Sequence, residues 1–196
     1  MNSIILEEVL QTIDKQYSVL SKECKIDISD VSKLVVLEKQ QLLISEGELE
    51  NNIYFIIKGC ARAFYLKDGK DITDWFAFEN DFLCSINSFF LSIPSPHFIE
   101  TLEPSILLRI SKSDTEKLSQ NHHSFETLAK NVVIKTMLQL QERIVGIQFE
   151  TAQQKYENLL KILPSITQRV ALTHIASYLG ITLETLSRIR NPRNTN

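Results

Sequence analysis

The spacing of apolar residues changes character twice along this chain, and those changes limit what it can fold into. From Val35 to Ile110 apolar residues come in short runs, among them Gln41-Leu-Leu-Ile44, Ile53-Tyr-Phe-Ile-Ile57, Ala61-Arg-Ala-Phe-Tyr-Leu66, Trp75-Phe-Ala-Phe78 and Ile106-Leu-Leu-Arg-Ile110. Glu46-Gly47-Glu48, Lys58-Gly59 and Lys67-Asp68-Gly69-Lys70 punctuate them, the last being the clearest hairpin signal. Many short strands at near-regular spacing predict an antiparallel roll, sandwich or barrel. After about Ser124 the period becomes helical. Val133, Met137, Leu140, Ile144 and Ile147 are spaced 4-3-4-3, with Ile134, Leu138 and Val145 as a second row beside them. Before the strands, Ile4, Ile5, Val9, Leu10, Ile13 and Tyr17 recur at helical intervals.

A helix with two apolar rows needs two partners. One row is expected on the chain's own strands and the other, Val133, Met137, Leu140, Ile144 and Ile147, on the same helix of a second copy; an ordinary buried helix is the equal alternative. Gln153 to Leu163 forms another amphipathic helix, stopped by Pro164.

Charge divides the chain at a similar place. Residues 1–149 hold 15 Lys and Arg against 21 Asp and Glu, a net of −6, whereas residues 150–196 hold 6 against 3, a net of +3. The basic third contains Val170-Ala-Leu-Thr-His-Ile-Ala-Ser-Tyr-Leu-Gly-Ile-Thr-Leu-Glu-Thr-Leu-Ser-Arg-Ile-Arg190. Ala176 is small where two helices would cross, Gly180 supplies the positive φ of a tight turn, and Thr182 can cap the second helix. Ile175, Leu179, Ile181, Leu186 and Ile189 supply a shared core. This is the pattern of a helix-turn-helix, whose second helix enters the major groove. Leu183, Glu184, Ser187, Arg188 and Arg190 face outward as base readers, and Thr173, His174 and Thr182 complete the DNA-binding set, His174 reading equally as a phosphate contact or a solvated surface residue. Arg188 suits guanine O6 and N7, and Glu184 suits cytosine N4. A Glu184–Arg188 ion pair is the plainer reading of that spacing. Arg169 and Lys155 are expected on phosphates.

In this order of parts the chain resembles the Crp/Fnr family of bacterial transcription regulators over about residues 30–190. The likeness rests on Glu46-Gly47-Glu48, Ile53-Tyr-Phe-Ile-Ile-Lys-Gly59, Asp68-Gly-Lys70 and Asn80-Asp-Phe82, and on Ala176-Ser-Tyr-Leu-Gly-Ile-Thr-Leu-Glu-Thr-Leu-Ser-Arg188. It implies an α+β chain: a jelly-roll-like antiparallel β-roll sensor with N-terminal helices over 1–124, a dimerisation helix over 125–149 and a winged helix-turn-helix over 150–196. It also implies a homodimer on a palindromic operator, contact with RNA polymerase, and, because Glu184, Ser187 and Arg188 match the Glu-x-x-Ser-Arg pattern of the fumarate-nitrate regulator branch, half-sites like TTGA.

Two departures bear on mechanism. Cyclic-nucleotide-binding members resemble one another in a Gly-Glu pair and a later Arg that clamps the phosphate; here Cys84-Ser85 replace the pair and Ser95-Pro96 stand near the Arg. No Lys or Arg occurs from Asp71 to Leu108. A buried phosphate would lack its charge-assisted contacts, so the roll is expected not to bind cyclic AMP. The cysteine cluster that would hold an iron–sulfur cube is missing too, and no cofactor is expected.

Trp75, Phe82, Cys84, Ser85, Phe89 and Phe90 lie where the family's effector pocket would form, and they read either as an effector site or, more simply, as core. His122-His123 read as a polar turn rather than a metal site. No catalytic constellation appears, so an enzyme is not expected; the rival class is a β-roll sensor or cupin-like protein whose C-terminal helices only dimerise. Cys24, Cys60 and Cys84 form no CxxC pair and no apolar stretch reaches 18 residues, which predicts a protein of the reducing cytoplasm without a membrane span.

Overall fold

A computed structural model describes residues 3–191. Two helices come first, α1 (Ser3–Gln16) and α2 (Lys22–Val31), followed by β1 (Lys33–Leu37), β2 (Leu42–Ile44), β3 (Asn52–Lys58), β4 (Ala61–Lys67), β5 (Lys70–Ala77) and β6 (Phe82–Leu83). A short helix, α3 (Ile86–Leu91), precedes β7 (Phe98–Thr101) and β8 (Ser105–Ser111). Helices then run to the end: α4 (Lys112–Asn121), α5 (His123–Phe149), α6 (Ala152–Ile162), α7 (Ile166–Arg169), α8 (Leu172–Leu179) and α9 (Leu183–Arg190).

The strands form two antiparallel four-stranded sheets, in the orders β1-β8-β3-β6 and β2-β7-β4-β5. Asp68 (φ 52°) and Gly69 (φ 73°) close the β4–β5 hairpin with Lys67 opposite Lys70, the double positive φ that a two-residue turn requires. Gly59 (φ 102°) turns β3 into β4, and a Cβ there would lie 2.1 Å from Ser105 Oγ, so a side chain is excluded by contact as well as by backbone.

Strand alternation sends successive side chains into different layers. Tyr54, Ile56, Ala63, Ala77, Leu83, Ile99 and Leu107 fill the space between the sheets. Phe55, Leu108 and Ile110 point out of the first sheet into a second cluster with Leu6, Val9, Ile13, Cys24, Ile28, Leu118, Phe125 and Leu128. Cys60, Phe78 and Leu102, each just outside a strand of the second sheet, meet Tyr156, Leu159, Ile166, Ile175, Leu179 and Leu186. The result is four layers: helices α1, α2, α4 and the start of α5, two sheets, and helices α6 to α9.

Two expectations change here. The row Ile134, Leu138 and Val145 does not pack on the strands, because all three are exposed; α5 meets the sheets through Phe125, Leu128 and Val132, then through Lys135 and Arg143. No strand occurs among the described residues from 150 to 191, so a wing is not among them, and residues 192–196 of the expected unit lie outside the described part. No helix among the described residues is long and apolar enough to cross a membrane.

Candidate nucleic-acid interface

The C-terminal helices are built from ordinary local signals. Thr151 and Gln154 make a capping box at the start of α6. Gly180, at φ 66° and ψ 33°, ends α8, and its N–H and that of Ile181 bond to Ser177 and Ala176 carbonyls. Thr182 Oγ1 accepts from the Thr185 N–H at 3.1 Å and starts α9. Ile175, Ala176, Leu179 and Leu186 are buried between the two helices, with Ile181 and Ile189 partly buried beside them.

This packing leaves one face of α9 open. Leu183, Glu184, Ser187, Arg188 and Arg190 are all exposed, as are Thr173 and Thr182. No ion pair joins Glu184 to Arg188 among the described residues, so neither side chain is spent on the other. Glu184 is held below the usual carboxylate range by its own backbone N–H and by Thr182, which keeps it an acceptor at neutral pH. The face therefore offers a carboxylate, a hydroxyl, two guanidinium groups and one apolar contact within two turns.

Two of the expected DNA contacts point elsewhere. His174 is half-buried, with Nδ1 2.8 Å from Nη1 of Arg62 on β4, instead of facing outward to a phosphate. Arg169 is held by Glu79, through Nη1–Oε2 at 2.9 Å and Nη2–Oε1 at 2.7 Å, and by Glu103, while lying over the Phe78 ring. Lys155 is partly buried. Neither His174 nor Arg169 could be placed by local spacing, since their partners are 112 and 90 positions away.

The long helix shows the opposite behaviour. Val133, Met137, Leu140, Ile144 and Ile147 are 39–57% exposed in the protomer. The other side is tied down: Lys135 Nζ donates to Asp81 Oδ1 and Tyr17 Oη, both at 3.0 Å, and Arg143 Nη1 donates to Asp74 Oδ1 at 2.8 Å. Asp74 sits at the register shift between Ala63 and Phe64, where the bulge turns it toward α5.

The proposed effector set does not converge. Phe82 packs outward on Tyr17 and Phe55, Trp75 faces His97 between the sheets, and Phe89 meets Phe90, which is exposed. Ser85 is buried and donates to Ser95. Burial pushes the Cys84 thiol up to about 12, so it carries no thiolate. What the sequence missed is His97, buried between Tyr65 and Trp75 with both ring nitrogens unpartnered; burial keeps it neutral, outweighing Asp74. No group of three or more metal-ligating side chains is assembled among the described residues.

Residues 34–122 match the family described as Cyclic nucleotide-binding domain. No curated protein matches the sequence. Among solved structures, FixK2 from Bradyrhizobium japonicum superposes with a TM-score of 0.67 at 18% identity, covering 82% of this chain and 83% of that one. A CooA variant from Carboxydothermus hydrogenoformans gives 0.66 at 16% identity, with 83% and 76% covered. The catabolite activator protein of Thermus thermophilus gives 0.57 at 15% identity, with 91% and 84% covered. Residues 34–122 are thus similar to the cyclic nucleotide-binding domain, and the chain shares its fold with FixK2, CooA and the catabolite activator protein.

Proposed function

We propose that this protein is a cytoplasmic, non-enzymatic transcription regulator that binds a palindromic DNA operator as a homodimer. The observation that carries the reading is the open face of α9, where Glu184, Ser187, Arg188 and Arg190 project from a helix fixed by the Gly180 turn and the Thr182 cap. A helix held in this way presents its N-terminal turns to the major groove, with Arg188 donating to a guanine, Glu184 accepting from a cytosine and Leu183 against a thymine methyl. In the proposed division, residues 1–124 are the sensor roll, 125–149 the dimerisation helix and 150–196 the DNA-binding unit. One such unit makes few base contacts, and two-fold pairing doubles them.

The apolar row on α5 supplies the pairing surface. Burying Val133, Met137, Leu140, Ile144 and Ile147 against their copies removes from water the largest exposed apolar stripe of that helix, in the 4-3-4-3 spacing of a parallel coiled coil. The roll does not take a cyclic nucleotide, so its effector, where there is one, is of another class. RNA polymerase is the partner the fold type implies once the operator is bound.

Selection of binding sites from random duplexes tests the reading. A two-fold symmetric site with TTGA-like halves is expected; an asymmetric site, or no enrichment, would contradict it.

A further inference from the structure

Helix α8 lies along β5, one of the two edge strands of its sheet, and it is joined there by polar groups. The Thr73 N–H donates to Ser177 Oγ at 2.9 Å, and the Ser177 hydroxyl reaches the Asp71 carbonyl at 3.4 Å. One serine thus occupies a donor and an acceptor that an open sheet edge leaves free. Three residues earlier, on the same face, stands His174.

Arg62 is 3% exposed and each of its three guanidinium nitrogens has a partner. Nε donates to Glu100 Oε1 and Nη2 to Asp71 Oδ2, both at 2.7 Å; Nη1 donates to Thr73 Oγ1 at 3.0 Å and to His174 Nδ1 at 2.8 Å; the group lies 4.2 Å over Phe64. A guanidinium has only donors, so Nδ1 must offer its lone pair and the ring proton must sit on Nε2. The contact exists for neutral histidine alone.

We propose that His174 and Arg62 form a pH-sensitive latch, which holds α8 on the sheet edge while the imidazole is neutral and lets it go when the ring takes a second proton. A protonated Nδ1 would set two donors and two positive charges against each other at a distance suited to a hydrogen bond. The charged groups facing His174 are Arg62 on β4, Asp71 on β5 and Glu100 on β7, and both carboxylates are already bound to Arg62. Burial and Arg62 hold the imidazole below the ordinary histidine range, outweighing the two carboxylates. A base depressed in the docked state binds its proton more readily when undocked. Docking is therefore complete above the ordinary value, about 6.5, and weakens as pH falls below it. Since α8 and α9 share the Ile175, Ala176, Leu179 and Leu186 core, release of α8 also frees the orientation of α9. The latch does not depend on what α9 binds.

Nuclear magnetic resonance on the full chain tests it without DNA. At about pH 7.5 the His174 Nδ1 should carry no proton, and the Thr73 amide should be protected. At about pH 5 the Thr73 protection factor should be lower by on the order of threefold or more, after allowance for intrinsic exchange. His174→Gln keeps a carbonyl acceptor that cannot titrate, and should hold Thr73 protection constant across this range. Equal wild-type protection at both pH values, or the same pH dependence in His174→Gln, overturns the latch. If His174→Gln fails to dock at either pH, the wild-type ring decides: a proton on Nδ1 at about pH 7.5 overturns the proposal, and a bare Nδ1 upholds it.

Discussion

Ser85 Oγ donates to Ser95 Oγ across 2.9 Å, and Ser95 Oγ donates in turn to the His97 carbonyl at 2.7 Å, with both serines buried. By resemblance, Ser85 stands in place of the acid of the cyclic-nucleotide-binding pattern and Ser95 near its arginine. Two short neutral hydroxyls that satisfy each other leave no cation for a phosphate and no carboxylate for a ribose. Arg62, the nearest guanidinium in the chain before this segment, is held by Glu100, Asp71, Thr73 and His174. Isothermal titration with cyclic AMP and cyclic GMP should show no heat of binding at micromolar protein. Micromolar affinity for either would contradict this.

Arg188→Ala should weaken operator binding by about 1–3 kcal/mol and flatten the preference at one G·C pair. Arg169→Ala should leave base preference unchanged, because that side chain is bound to Glu79 and Glu103 and not presented to DNA. Competition binding with single-base operator variants separates the two outcomes.

Leu140→Glu combined with Ile144→Glu should convert the proposed dimer to monomer. Both side chains are exposed in the protomer, so helix content by circular dichroism should not fall. Light scattering reads the mass; a persistent dimer would place the interface elsewhere.

Glu79 bonds acid stability to the basic helices. Its burial raises the carboxyl, but the Arg169 guanidinium and the Gly59 N–H outweigh this and hold it below the usual range. A depressed acid stabilises the fold above its ordinary value, about 4.3, and that contribution is lost as pH falls through the folded value. Thermal unfolding should therefore drop between about pH 5 and pH 3, and less so in Glu79→Gln. Arg169→Met should cost about 1–2 kcal/mol at neutral pH, less than a fully buried pair because Glu79 keeps 35% of its side chain exposed.

Local chemistry made much of this fold legible. Asp68-Gly69 announced the β4–β5 hairpin, Pro164 the end of α6, and the Ala176, Gly180 and Thr182 spacing the α8–α9 pair, because each depends on a few neighbouring residues. The effector set does not converge, for a physical reason. Phe82 and Trp75 are close in sequence but belong to strands of different sheets, and alternation turns one outward to Tyr17 and the other inward to His97. The partners of His174 and Arg169 are likewise invisible to local spacing, because Arg62 lies on β4 and Glu79 and Glu103 lie in loops far away in sequence. The four-residue α7 has too few positions to show a helical period.

Fluorescence anisotropy with a duplex carrying two inverted TTGA-like half-sites, centred about 10 base pairs apart, tests dimeric operator reading most directly. Two protomers should bind per duplex, with affinity falling as salt rises, and moving the half-sites by about half a helical turn should cost on the order of tenfold or more. Equal affinity for the symmetric, respaced and scrambled duplexes, or no binding to any at low salt, would contradict the reading of α9 as a base-reading helix in a two-fold dimer.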